Sequence, residues 1–398
     1  MVMENKYSRL YGIGEPLALR GLVGTLSSKR LLGLSGHIDP LKSLDLMAAM
    51  GFTALREWMI ISAILDAPDK VNAEAYKMCT EILNKCVALD IEVTGMNNVW
   101  FLPDGFCDKF GTVSPERDLN KDSKYTEMLD MLELSWYTMV SYFPQIKLWE
   151  VGNEWNQDGF LYPTADLREK GKATFTNEEK ALISLDMMYR SAKGIRRANP
   201  DAEVVSYSPC MLLDLTKRET PHYLNANYEI ALTYERLYQY IEEGKSFSKK
   251  ADDYFDIVSF HPYIIPDGEP DDIWVDSCEA VRRVMEKHGD RHKEIMITEF
   301  GFTDGMDDEL AAVQAERYAK IFDYCKKINN LRTIHIFRFY EDYGMLMRDE
   351  EDGIGGKNEV KFGLFTEPEH GHVPRQKAIE IQRYTGGKGD LYMHRSQI

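Results

Sequence analysis

Short runs of β-branched and aromatic residues alternate along this chain with longer stretches in which apolar positions return every three to four residues. Such runs are the mark of buried strands, such stretches the mark of amphipathic helices, and their alternation predicts βαβ units around a parallel sheet. Eight runs predict strands: Leu31–Leu34, Ala54–Trp58, Ile91–Met96, Ile146–Asn153, Glu203–Ser208, Phe255–His261, Glu294–Phe300 and Thr333–Phe339. Between the second and third, residues 73–89 predict a helix with Tyr76, Leu83 and Val87 near one buried stripe. Neighbouring strands are separated by about 25 to 55 residues, room for a helix and a functional loop in each unit. The expected fold is therefore α/β, a (β/α)8 TIM barrel forming a single domain over residues 1–398. A doubly wound open sheet is the main alternative, but it calls for a glycine-rich phosphate turn after its first strand, and Leu-Gly-Leu-Ser-Gly-His at 32–37 departs from GxGxxG. Residues 1–30, with Gly12, Gly14, Gly21 and Gly24, read as turns or a hairpin extending the barrel floor.

Composition narrows the partners. Of 398 residues 44% are hydrophobic and 28% charged, enough apolar material for a core. The 48 Lys and Arg against 65 Asp and Glu leave a net charge of −17, which repels phosphate backbones and anionic lipid, so neither nucleic acid nor a membrane is an expected partner. Six scattered cysteines (Cys79, Cys86, Cys107, Cys210, Cys278, Cys325) form no CxxC pair and read as buried thiols. The first residues lack the basic start and apolar run of a secretory signal, and no apolar stretch is long enough to span a bilayer, so a cytoplasmic address is expected.

In a parallel barrel, chemistry gathers at the carboxyl ends of the strands. Four of the expected strands carry polar groups there: Arg56 on the second, Asn153 and Glu154 on the fourth, His261 and Tyr263 on or after the sixth, and Glu299 on the seventh. The ordered set Gly-Asn-Glu, His-Pro-Tyr and Thr-Glu-Phe-Gly resembles the retaining glycoside hydrolases of clan A, most of all families 39 and 5, over roughly residues 30–380. That resemblance implies hydrolysis of β-linked O-glycosides by double displacement. Glu154 would be the acid and then the base, Glu299 the nucleophile, and Asn153 the partner of the sugar 2-hydroxyl; Arg56 and Tyr263 would flank Glu299, and His261 would line the pocket. An oligosaccharide or glycoside is the implied substrate, with no metal or organic cofactor.

The chemistry needs these residue types. A nucleophilic carboxylate must stay ionised, which a guanidinium such as Arg56 favours, while the acid needs an apolar setting and a second carboxylate to keep its proton. Glu150, four residues before Glu154 on the same strand face, reads as a structural partner for an internal base. His37, Asn97, Asn98 and Trp100 end the first and third strands and are further sugar-contacting candidates. Trp155, Phe160, Tyr162 and Trp274 are candidate aromatic platforms, since sugar C–H faces pack on rings. Strand eight departs from the family pattern: Phe337-Arg338-Phe339-Tyr340 stands where a tryptophan is usual, so Phe339 or Tyr340 is expected to replace that platform. Arg338 is expected in an internal ion pair with Glu150 or a neighbour, and otherwise would read an anionic substrate group. Two long loops, 155–178 and 340–374, are candidate functional loops. A barrel that binds carbohydrate without turnover, and a metal-assisted hydrolase using His37, His261 and carboxylates, are the alternatives from other classes.

Overall fold

The computed structural model describes residues 10–27, 30–31, 34, 37–102, 111–213, 229–264, 271–302, 308–328, 330–341 and 362–392. Eight parallel strands form a barrel: β1 (Tyr11–Gly14), β2 (Ala54–Trp58), β3 (Glu92–Met96), β4 (Leu148–Glu150), β5 (Glu203–Val205), β6 (Val258–Ile264), β7 (Ile295–Phe300) and β8 (Leu331–Phe337). Each pairs with the next in chain order from β1 through β5 and from β6 through β8. β8 returns to β1 with Tyr11 opposite Ile334. The ring closes where Val205 bridges Ile257, and the chain after β5 adds a second segment, Cys210–Leu213, beside β6.

Helices fill the crossovers, and their starts are written locally. Asp39 caps Pro40–Ala49, accepting from Leu41 and Lys42 N–H with proline at the first helical position. Asn72 caps Ala73–Ala88, Ser123 caps Lys124–Tyr142, and Thr176 with Glu179 makes a reciprocal capping box on Asn177–Ala198. Helix 73–88 is where expected, but its buried stripe is Ala75, Cys79, Ile82, Leu83 and Cys86. Tyr76 and Val87 face outward, because two cysteines serve as the small apolar residues of that face. Cys79, Cys86, Cys210, Cys278 and Cys325 are buried thiols outside any disulfide among the described residues; Cys107 lies outside the described residues.

One strand lies elsewhere than expected, while β4 and β5 are shorter than expected and β6 and β8 are shifted by three and two residues. Neither Leu31 nor Leu34 joins a strand, Leu32 and Gly33 lie outside the described residues, and β1 is Tyr11–Gly14, inside the segment expected to extend the floor. Of the glycines that suggested a turn, Gly12 is required by packing: a Cβ on it would stand 2.5 Å from His335 Cδ2, whose ring fills the barrel at that level. Gly12→Ala should therefore cost about 1–3 kcal/mol through overpacking, seen as a lowered urea midpoint with unchanged slope; an unchanged midpoint would mean that the His335 ring yields freely.

Above the strand ends, Thr112–Ser114 pairs with Leu161–Pro163 in a small parallel sheet, so the 155–178 loop is structured. Of the second long loop, residues 342–361, with their acidic run, lie outside the described residues, and Leu364 returns to the end of β8 by donating to Phe339 O at 2.9 Å. Among the described residues no helix is long and apolar enough to cross a membrane.

Candidate active site

Arg56, on the inward face of β2, organises the mouth. It is fully buried and donates through Nε to Glu150 Oε2 at 2.5 Å, through Nη2 to Glu150 Oε1 at 2.9 Å and Asn153 Oδ1 at 2.7 Å, and through Nη1 to Glu299 Oε1. Burial works against its charge, but Glu150 and Glu299 outweigh burial and hold the guanidinium protonated beyond its ordinary range. Glu150 is thus the partner expected for an internal base. Arg338 makes the expected internal ion pair with Glu15, not with Glu150: it is fully buried with Nη2 3.7 Å from Glu15 Oε1.

Glu299 receives a second bond, from the Tyr263 hydroxyl to Oε2 at 2.8 Å. Burial pushes its carboxyl above the ordinary value while Arg56 and Tyr263 pull it down. Because Arg56 remains charged, the pair is held as an ion pair. Burial and the two glutamates in turn raise the Tyr263 hydroxyl, keeping it a donor.

Glu154 follows β4 in a turn whose backbone is unusual. Its φ is 52°, the left-handed region, where a non-glycine residue costs on the order of 1–3 kcal/mol. The turn is held by Glu154 N–H donating to Tyr207 O at 3.0 Å, and by Trp155 folding over Gly152, where a Cβ would stand 2.1 Å from the indole. This aims Glu154 across the mouth. His261 Nδ1 lies 2.7 Å from Glu154 Oε1 and 3.8 Å from Glu299 Oε2, and His261 Nε2 lies 2.9 Å from Thr298 Oγ1. One oxygen of Glu154 and one of Glu299 are within 4.8 Å of each other, and with His261 they are three atoms close enough to consider for a metal.

Thr298 and Glu299 are consecutive, yet both side chains bond within the barrel. The β7–β8 register slips here: Ile297 faces Ile334 while Phe300 faces Ile336, three steps on one strand against two on the other. That irregularity lets two successive side chains face inward, which strict alternation forbids.

Arg56, Asn153, Glu154, His261, Tyr263 and Glu299 therefore converge as the strand ends suggested, and the other candidates do not join them. His37 is exposed and outside the cluster. Asn97 accepts from Ile61 N–H at 2.8 Å, and the Asn98 carbonyl accepts from Thr112. Trp100 and Trp155 are buried edge to face at 5.5 Å, Trp155 stacked on Tyr207 and donating to Thr112 Oγ1, so both are part of the packed core. Phe160 and Tyr162 belong to the small upper sheet and its approach, and Trp274 is in the core against Phe300 and Tyr324. Tyr340 is 2% exposed with its hydroxyl 3.0 Å from Ser43 Oγ, and Phe339 is fully buried, so neither forms the floor. The ring beside Tyr263 is Phe337, half-buried, with Phe362 against both. Residue type could have marked Phe337, but only the true end of β8 tells it from Phe339.

No family model matches the chain, and no curated protein sequence matches it either. Solved structures do. A family 39 glycoside hydrolase from the gut symbiont Bacteroides cellulosilyticus WH2 superposes with a TM-score of 0.57 at 15% identity, over 96% of this chain and 65% of that one, so this chain spans less than two thirds of that protein. Xylanase 10B from Thermotoga maritima gives 0.54 at 20% identity, over 95% of this chain and 94% of the other. A β-glucosidase from Thermotoga maritima, in complex with a methoxycarbonyl-substituted glucoimidazole, gives 0.62 at 12% identity, over 96% and 98%. The fold is one that glycoside hydrolases share. At these identities the likeness establishes the (β/α)8 architecture.

Proposed function

We propose that this protein is a retaining O-glycoside hydrolase acting on β-linked sugars, with Glu299 as nucleophile and Glu154 as acid/base. The observation that carries this reading is the placement of two glutamates, from the ends of β4 and β7, with oxygens within 4.8 Å and unlike surroundings. A separation of roughly 5 to 5.5 Å suits direct attack by one carboxylate, whereas inversion needs roughly 6.5 to 9.5 Å to seat a water. The surroundings separate the roles: Glu299 has a guanidinium and a phenol, which favour the ionised nucleophile, while Glu154 faces a neutral imidazole. Similarity to a xylanase and to β-glucosidases supports β-linked sugars as the class.

Glu299 attacks the anomeric carbon while Glu154 protonates the departing oxygen; the glycosyl ester then forms, and Glu154 takes a proton from the water that cleaves it. In this reading Asn153, held by Arg56, takes the sugar 2-hydroxyl, and Phe337 with Phe362 takes its apolar face. A panel of aryl β-glycosides that includes uronides, with Glu299→Gln as control, tests the reading. Release from one sugar that is lost in the variant is expected; glycan binding without release, unchanged in the variant, would favour a binding barrel.

Glu154→Ala should split substrates by leaving group. Dinitrophenyl glycosides, which need little protonation, should still form the ester, while natural glycosides lose on the order of 10²-fold or more in kcat/KM. Equal losses on both kinds would remove the acid assignment. Incubation with EDTA should leave rates unchanged; loss restored by one divalent cation would move Glu154, His261 and Glu299 to a metal-assisted mechanism.

A further inference from the structure

His261 has one ring proton to place between two different kinds of neighbour. It is fully buried, and burial, reinforced by the charge of Arg56 and by His335, holds its pKa well below the ordinary histidine value, so the ring is neutral. Nδ1 faces carboxylates, Glu154 Oε1 at 2.7 Å and Glu299 Oε2 at 3.8 Å. Nε2 faces a hydroxyl, Thr298 Oγ1 at 2.9 Å, with Glu150 Oε1 at 3.9 Å. Glu299 is the ionised neighbour, and Glu154, with its acid proton on Oε2, still presents Oε1 as an acceptor, whereas a hydroxyl donates as well as accepts. The ring proton therefore belongs on Nδ1, provided Thr298 turns its own proton to Nε2.

Thr298 is released to do this by its surroundings. Its hydroxyl is 3.1 Å from Glu150 Oε1, but that oxygen already accepts from Arg56 Nη2 and from Ser208, and Glu150 Oε2 accepts from Arg56 Nε. Ser208 Oγ is 2.7 Å from Thr298 Oγ1 and 2.6 Å from Ser259 Oγ, which continues to Ser206 at 3.0 Å. This buried row of hydroxyls keeps Glu150 satisfied without Thr298.

From this geometry we infer that Thr298 is a positioning residue that acts through His261: its hydroxyl fixes the imidazole tautomer that donates Nδ1–H to Glu154 Oε1. The inference rests on the reading of Glu154 as acid/base. With Oε1 occupied, Oε2 is the oxygen that passes the proton to the leaving group and later takes one from water. The donated bond also favours the ionised Glu154 needed in the second step. Among the described residues, the charged and titratable groups facing Thr298 and His261 are Arg56, Glu150, Glu154, Glu299, Tyr263 and His335; of these only Glu150 is within hydrogen-bond reach of Thr298, and Arg56 and Ser208 retain it.

The direct test is 15N NMR of the histidine rings in the full-length protein, with the His261 signals assigned by their loss in His261→Asn. The parent should show Nδ1 protonated and Nε2 a bare acceptor. In Thr298→Val, Nε2 loses the hydroxyl that donates to it and faces Glu150 Oε1 at 3.9 Å, while Glu154 can turn its acid proton to Nδ1, so the ring should shift toward the Nε2–H form; Thr298→Ser should restore the parent pattern. A protonated Nε2 in the parent, or the same tautomer in Thr298→Val, would overturn the inference; the parent and Thr298→Ser decide it even if the valine variant does not fold. Activity supplies a second readout. The alkaline limb of kcat/KM, where Glu154 loses its proton, should move up by about half a pH unit or more in Thr298→Val and stay in place in Thr298→Ser. A lower kcat with an unmoved limb would mean packing alone. Because the NMR measurement needs no turnover, a silent enzyme would count against the hydrolase reading, whereas an active enzyme with the other tautomer would count against Thr298 alone.

Discussion

Glu299→Gln should lose on the order of 10⁴-fold or more in kcat on every substrate, activated aryl glycosides included, because an amide cannot form the glycosyl ester. Fold and binding should survive. The amide oxygen can still accept from Arg56 or Tyr263, and the mutation leaves the bonds of Arg56 to Glu150 and Asn153 in place. A circular-dichroism melt close to that of the parent, together with abolished turnover, is the expected pair of results. Turnover within tenfold of the parent would remove Glu299 from the mechanism.

Arg56→Met should be the most disruptive substitution for stability. Glu150 has no exposure to water, and Arg56 supplies its charge compensation, so the variant leaves one carboxylate buried without a counter-ion and a second, Glu299, with only a phenol. Breaking a buried pair by removing one partner costs about 3–5 kcal/mol. The measurement is the denaturant midpoint, which should fall steeply, with activity lost even where the variant is still folded, since Glu299 would then favour its neutral form. Arg56→Lys should rescue neither, because one ammonium cannot reach Glu150, Asn153 and Glu299 together as the planar guanidinium does. A lysine variant with near-parent stability would show that charge alone, without the fork, holds the mouth together.

The parts of this site that were legible in the sequence share one property: they are polar residues placed directly against hydrophobic strands. Arg56, Glu154, His261, Tyr263 and Glu299 each interrupt or end an apolar run, and burial of that run fixes where the polar group goes. β2 was readable to the residue, and β3 and β7 to within one. β1 was not, since Gly12 and Gly14 look like a turn until His335 is seen to occupy the space beside Gly12. Pairing information that a single strand does not carry was also hidden. The slip on β7 that brings Thr298 inward beside Glu299 depends on β8, and the ring of the floor, Phe337, could be told from Phe339 only once β8 was seen to end at Phe337. Aromatic residues were the least legible class. Trp100, Trp155 and Tyr340 lie close in sequence to strand ends, as a sugar platform would, yet all three are buried against other rings.

The two-glutamate mechanism stands or falls on a covalent intermediate. The measurement is mass spectrometry of the protein incubated with 2-deoxy-2-fluoro aryl β-glycosides of the sugar released in the panel, followed by peptide mapping. The expected result is one added fluoroglycosyl mass on the peptide carrying Glu299, absent in Glu299→Gln. Hydrolysis that proceeds with no adduct, or an adduct on Glu154 in place of Glu299, would contradict it.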